Sequence, residues 1–164
     1  MELTRYPLAA NNLLFGVSNF FVLPLPPTWR LIRGPLDPEV DRQMKRGDIS
    51  WVQEGRAMYL LLHPGSRVTV ELQIDIKPRW TPPRVPSPST GWRHGQLDIG
   101  GHRAESVMGE QLRGWWPRKP VRVLRAAFYC ETIARGIAIE LIGEGGEDAH
   151  LQEILQALTE LQCH

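Results

Sequence analysis

Apolar and polar residues alternate most strictly over residues 67–76 of the chain. The apolar positions are Val68, Val70, Leu72, Ile74 and Ile76. Because Cβ direction alternates along a strand, this pattern predicts one buried face and one solvated face, which is typical of an antiparallel sheet. Two shorter apolar runs, Ile49–Gln53 and Arg56–His63, flank Glu54-Gly55 and predict a hairpin just before this strand.

The stretch Val121–His164 predicts strand, turn, strand, acidic loop and helix. Val121–Glu131 alternates as a strand, and Gly136–Ile142 is apolar on most of both faces, which favours a central strand covered by a helix. A glycine-rich loop, residues 143–146, then precedes Asp148, a suitable N-cap. The residues that follow at helical spacing are Leu151, Ile154, Leu155, Leu158 and Leu161. We therefore expect an amphipathic C-terminal helix that packs on the sheet.

The N-terminal part predicts two strands and a short helix. Phe20–Pro24 and Thr28–Ile32 are short, apolar and separated by prolines, so we expect strands joined by a turn. Asp37 as N-cap and Pro38 at the first helical position predict a helix that ends near Arg46.

The middle of the chain predicts long loops. Lys77–Gly95 is rich in proline and contains no acidic residue, so we expect an extended loop at 77–95. Gln96–Ile99 and Arg103–Val107 are candidate strands around Gly100-Gly101, and Gly109–Pro120 is expected to be a second loop.

Together these elements predict a single α+β domain over residues 1–164. Strands grouped together, with helices near the ends, favour a mainly antiparallel sheet. We expect the C-terminal helix and the short helix at 37–46 to cover it. The length is sufficient for one hydrophobic core.

Composition excludes few functions. The formal net charge is +1, and no apolar run reaches membrane-spanning length. The segment Leu13–Leu23 is a better strand than a signal peptide, so we expect a cytoplasmic protein with no membrane partner. Many tryptophans and prolines, with more arginine than lysine, are consistent with a thermophilic source. The oligomeric state is not indicated.

Cys130, Cys163 and His164, together with His102, are candidate metal ligands. Thiolate and imidazole bind zinc or iron well, and a helix packed on the sheet would bring the C-terminal pair toward Cys130. The sequence leaves two alternatives open. In the first, Cys130 is a buried small hydrophobe, Cys163-His164 lies in a frayed terminus, and there is no cofactor. In the second, the two cysteines form a disulfide, which a thermophilic source would favour.

The basic, aromatic middle of the chain is a second candidate site. Basic residues far outnumber acidic ones between Lys77 and Arg125, and the balance reverses afterwards. The candidate ligand-binding residues are Arg79, Trp80, Trp92, Arg93, Arg113, Trp115, Trp116 and Arg118. Arginine with tryptophan suits phosphate contact and base stacking, which would indicate nucleic acid, or the rim of a protein or small-molecule groove. The alternative is that the tryptophans only anchor long loops.

Enzymatic motifs are absent from the sequence. There is no phosphate-binding loop, nucleophile elbow or zinc-protease helix motif, and Cys130 on an apolar strand face is a poor nucleophile. We therefore expect a non-enzymatic binding or scaffold protein, with a groove formed by the loops at 77–95 and 109–120. A metal or redox protein and a nucleic-acid-binding protein are the competing hypotheses.

The phrases FVLPLPPTWRLI near the start and LQEILQALTEL near the end, with an antiparallel sheet between them, resemble the Mog1 and PsbP-like proteins. The resemblance implies an α/β/α sandwich and a binding or accessory role. It concerns overall length and element order, and it carries over no functional residue.

Overall fold

The computed structural model describes residues 2–12, 16–33, 52–53, 56–66, 68–77, 84–85, 91–144 and 148–163, and strands make up most of them. The strands are β1 (Thr4–Asn12), β2 (Gly16–Leu25), β3 (Arg30–Arg33), β4 (Val52–Gln53), β5 (Arg56–His63), β6 (Val68–Ile76), β7 (Arg93–Ile99), β8 (His102–Arg113), β9 (Lys119–Cys130), β10 (Arg135–Glu144) and β11 (Gln162–Cys163). Helix α1 spans Asp148–Thr159.

These strands form two antiparallel sheets. The large sheet has the order β3-β5-β6-β10-β9-β8-β7, and β4 pairs with β5 outside this path. The small sheet has the order β1-β2-β11. Strand β10 lies in the middle of the large sheet, paired with β6 on one side and β9 on the other. Its Ile137, Ile139 and Leu141 are buried on one face, whereas the alternate residues from Ala138 to Ile142 are half-buried on the other face.

The main hydrophobic core lies between the large sheet, the small sheet and the helix. Register aligns Leu72, Leu141 and Leu124 across three neighbouring strands, and all three are buried. Facing them are buried residues of the small sheet, including Phe21 and Leu23. Helix α1 contributes Leu151, Ile154 and Leu158 to the core, and Leu161 joins them just after the helix ends at Thr159. All four are apolar positions that the sequence spacing predicts. Each such side chain contributes about 1.5–3 kcal/mol when fully buried, before the entropy of ordering is subtracted.

Several predicted elements are confirmed. Strand β5 has the predicted bounds, and the alternation of β6 corresponds to alternating buried and half-buried side chains. The turn predicted between β9 and β10 is present, and the C-terminal helix begins at Asp148.

The predicted α+β fold class is wrong for the part of the chain that the structure describes. That part is mainly β, with helix α1 packed beside a small second sheet. The pattern did not reveal β1, whose sequence TRYPLAANN lacks a clear alternation, or β11, which is two residues long. Such strands form because an existing edge offers hydrogen-bond partners, and this information is not local. The helix predicted at 37–46 lies outside the described residues.

The predicted loop Gly109–Pro120 is also wrong over most of its length. Strand β8 continues to Arg113 and β9 begins at Lys119, so residues 114–118 connect a long hairpin. Gly109 lies inside β8, although glycine is generally disfavoured in strands. Here it makes room for a neighbour, since a Cβ at Gly109 would collide with the Trp92 ring. Likewise, Arg93–Gly95 belong to β7 rather than to the loop predicted at 77–95.

The turn between β7 and β8 is docked on the C-terminal end of helix α1. Gly100 and Gly101 have φ values of 59° and 78°, as a two-residue hairpin turn with two left-handed positions requires. The Gly100 amide donates a hydrogen bond of 3.0 Å to the carbonyl oxygen of Leu158. The Leu158 carbonyl lies in the last turn of the helix and also accepts a 3.2 Å hydrogen bond from the Leu161 amide, so the Gly100 amide is its second donor. A Cβ at Gly100 would collide with the Leu161 carbonyl oxygen, so glycine allows the close approach.

We predict that Gly100→Ala destabilises the protein more than Gly101→Ala. Both substitutions place a side chain at positive φ, which costs about 1–2 kcal/mol. Only Gly100→Ala adds the collision with Leu161, because nothing lies within 4 Å of a Cβ at Gly101. Urea unfolding of the two variants measures the difference. Equal losses of stability would contradict the docked turn.

Candidate metal centre

His102, Cys130 and Cys163 bring three potential metal ligands together. One ligand atom from each residue lies within 4.8 Å of the other two. Among the described residues, these three form the one group of histidine, cysteine or acidic side chains that is large and close enough to hold an ion. The three residues are distant in sequence, so tertiary structure alone assembles them.

Each ligand is held by a different strand end. Cys130 ends β9 and His102 begins β8. The β8–β9 register pairs Glu105 with Ala127, and counting three residues outward places His102 opposite Cys130 on the face that carries the main core. Two adjacent strands of the large sheet therefore supply a thiol and an imidazole side by side.

Cys163 reaches the site from the small sheet. It lies on β11 and pairs with Phe21 of β2. The helix end that precedes β11 is the same end that receives the Gly100 amide. Because Gly100 lies two residues before His102, this docking brings His102 and Cys163 close together. The group therefore spans both sheets.

The geometry is close to that of a tetrahedral zinc site. Zinc binds sulfur at about 2.3 Å and imidazole nitrogen at about 2.0–2.1 Å, which places S and N ligands about 3.6 Å apart and two S ligands about 3.8 Å apart. The distance from Cys163 Sγ to His102 Nε2 is 3.7 Å. No pair of ligand atoms exceeds 4.8 Å, so closing on an ion requires approaches of about 1 Å at most.

Burial favours the protonated thiol in the absence of a cation. The pKa of Cys163 is raised from 9.0 to about 12, first by burial, then by a hydrogen bond to Cys130 and by the repulsion of a charge on Cys130. Cys163 is therefore a thiol at neutral pH and a poor nucleophile. A bound cation would offset this shift, because its charge stabilises both thiolates in the buried site.

The imidazole is oriented by an aromatic neighbour. The His102 ring stacks on Phe128, with ring centroids 5.1 Å apart and planes at 15°. Cys130 is fully buried, whereas His102 and Cys163 are half-buried. The group is thus open to solvent on one side, where a further ligand could complete four-coordination. Both cysteines are free thiols in the structure.

The structure places the predicted site residues in three separate regions. The metal candidates His102, Cys130 and Cys163 come together, whereas His164 lies outside the described residues. The predicted groove residues do not share one cavity. Trp92 and Arg93 line a cavity of about 600 Å³, and Arg113, Trp115 and Trp116 line another of about 700 Å³. Arg118 is exposed and lines neither of them, and Arg79 and Trp80 lie outside the described residues.

Trp92 has a packing role in addition to its place in a cavity. Its ring lies under the Arg125 guanidinium, 5.1 Å from ring centroid to Cζ, and over Gly109. Arg125 also donates a 2.6 Å hydrogen bond to Glu140 on the neighbouring strand. Trp92 therefore anchors the start of β7 to the sheet, as the alternative hypothesis for these tryptophans proposes.

Sequence reasoning missed Glu144 at the cavity beside Trp115 and Trp116. Lys119 also lines this cavity, and it belongs to the basic stretch between Lys77 and Arg125 that the sequence identifies. Glu144 could not be recognised, because it ends β10 and reaches the cavity only through the pairing of β10 with β9.

No protein-family model and no curated protein matches this chain. No helix in the described ranges is long and apolar enough to cross a membrane. The resemblance to the Mog1 and PsbP-like proteins stays a prediction. We therefore infer function from the geometry of the residues themselves.

We predict that Cys163 makes the stability of the metal-free protein fall at alkaline pH. The folded state binds the thiol proton more tightly than the unfolded chain, so this contribution is complete below pH 9.0. It is lost as the pH rises toward about 12. The free energy of unfolding of wild type, minus that of Cys163→Ser, should decrease across this window. Urea unfolding with a chelator and a thiol reductant measures it, and a difference independent of pH would contradict the prediction.

Proposed function

We propose that this protein binds a divalent metal ion, with zinc as the preferred ion, through His102, Cys130 and Cys163. The observation that carries the proposal is the convergence of two thiols and one imidazole within 4.8 Å from three separate strands. Thiolate and imidazole together suit zinc, and iron is the second candidate. We propose no catalytic role for this site.

The ion would cross-link the two sheets. Cys130 and His102 belong to the large sheet, and Cys163 belongs to β11 of the small sheet. Strand β11 has two residues and, among the described strands, pairs with β2 alone, so few hydrogen bonds hold it in place. A metal bond at Cys163 would therefore stabilise the end of the chain against fraying. Binding would displace the thiol proton that burial now favours on Cys163.

The broader hypotheses remain proposals beside this one. A cytoplasmic location and a protein or small-molecule partner are supported by the sequence reasoning alone. The groove hypothesis is supported by the exposed tryptophans that line one cavity. The metal centre has the stronger support, because its ligands are of matching chemistry and are already close to coordination distance.

We predict one zinc ion per chain in protein purified without chelator. His102→Ala and Cys163→Ser should each weaken binding by about 100-fold or more, since loss even of a residue that supports a ligand costs about 10–100-fold. The matched control is His94→Ala, which removes an exposed histidine from β7 and should retain the ion. Elemental analysis gives the stoichiometry. Titration with Co²⁺ detects thiolate ligation by its charge-transfer absorption.

Zinc should also raise the free energy of unfolding. At a free zinc concentration 100 times the dissociation constant, the gain is about 2.7 kcal/mol, and Cys163→Ser should abolish it. His164→Ala tests whether the last residue completes the coordination, because weaker binding in that variant would assign it the fourth position. Absence of zinc or iron, and of Co²⁺ binding by the reduced protein, would overturn the proposal. A disulfide between Cys130 and Cys163 would then be indicated if no free thiol were found.

A further inference from the structure

The connection between β8 and β9 exposes two tryptophans that the core does not use. Trp115 is 95% exposed and Trp116 is 88% exposed. Isolated exposed leucines are common, but two adjacent indoles in water leave a large apolar area unburied. We define residues 112–119 as the hairpin tip. His102 and Cys130 lie at the opposite end of the same β8–β9 hairpin, so the hairpin tip is separate from the candidate metal centre.

Two cations of the hairpin tip have no compensating acid among the described residues. Arg118 and Lys119 are exposed and form no ion pair with any described residue. Other arginines of the same hairpin are neutralised, because Arg122 pairs with Glu110 at 3.7 Å and Arg125 pairs with Glu140 at 2.6 Å. The positive charge available to a partner is therefore concentrated beside the two tryptophans.

A cavity adjoins the indoles. It has a volume of about 700 Å³, within the about 300–1,000 Å³ range of ligand sites, and it is open to solvent. Its lining combines flat apolar surfaces with charge: Arg113, Gly114, Trp115, Trp116, Pro117, Lys119, Pro120, Val121 and Glu144. Arg113 is itself engaged, since its Nη1 atom lies 2.7 Å from Glu71 and 3.9 Å from Glu144.

We propose that the hairpin tip binds single-stranded nucleic acid. Exposed indole faces offer stacking platforms that every base can use, and the adjacent Arg118 and Lys119 match the charge of a phosphodiester backbone. The Glu144 carboxylate can accept a hydrogen bond from an amino group on a base edge, which makes an acid in this cavity compatible with a base. The bound length is short, because the free cations at the tip suffice for about two phosphates.

A lipid surface fits these observations less well. The indoles and cations would suit a membrane interface, but a flat bilayer surface does not fill a cavity lined by Trp115, Trp116 and Lys119. Duplex nucleic acid also fits less well, since its bases are stacked on one another and are not available to the indoles. Vesicles therefore serve as the alternative probe in the test.

The test measures binding of a fluorescent 12-nucleotide DNA, of mixed sequence and without secondary structure, by anisotropy at low salt. Trp115→Ala combined with Trp116→Ala should weaken binding at least about tenfold, from the loss of stacking. The control Tyr129→Ala removes an exposed aromatic from the opposite end of β9 and should bind as wild type does. Because both tryptophans are exposed, the double variant should also retain the melting temperature of wild type.

Replacement of Arg118 and Lys119 by glutamine should lower the slope of log affinity against log salt by about 1.4, as expected for two phosphate contacts on a single strand. The control Arg103→Gln removes an exposed cation from the far end of β8 and should leave the slope unchanged. Three outcomes would overturn the proposal. They are no binding of single strands at low salt, binding that survives loss of both tryptophans, and tryptophan-dependent binding to vesicles of phosphatidylcholine and phosphatidylserine in place of the oligonucleotide.

Discussion

The apolar layer between the large sheet and the helix with its small sheet is the constraint on which the other features depend. Large side chains from both sides are buried in it, among them Trp29, Phe21 and Leu72. Trp29 also donates a 2.7 Å hydrogen bond from its indole nitrogen to Glu153, so the buried polar atom has a partner on helix α1. Because this layer positions the helix, it also positions the strand that follows the helix.

The contact of Gly100 with the helix end converts this packing into a candidate site. Because Gly100 has no side chain, the hairpin turn can approach the helix end closely. Its amide then donates a hydrogen bond to the Leu158 carbonyl. As a result, the His102 imidazole of the large sheet lies 3.7 Å from the Cys163 thiol of the small sheet. Packing, turn conformation and ligand geometry are thus parts of one arrangement.

The metal centre and the hairpin tip differ in how the surroundings affect their charges. At the candidate metal centre, burial suppresses ionisation of Cys163, so at neutral pH a bound cation is needed to form the thiolate. At the hairpin tip, Arg118 and Lys119 are exposed to water and already charged. The two proposed functions therefore depend on separate residues, and loss of one is expected to leave the other intact.

The sequence by itself determined the elements whose pattern is long and periodic. The alternation of β6, the apolar central strand β10 and the leucine spacing of α1 are local properties, and the structure contains all three. The sequence also named Cys130, Cys163 and His164, with His102, as candidate metal ligands, because cysteine and histidine are few and chemically distinctive. Only the tertiary structure decided that His102 lies beside the two cysteines and that the described residues fold mainly as two β-sheets. It also decided that Trp92 and Arg93 line a different cavity from Arg113, Trp115 and Trp116. The physical reason is that strand pairing and close approach depend on partners distant in the chain, which no local periodicity encodes.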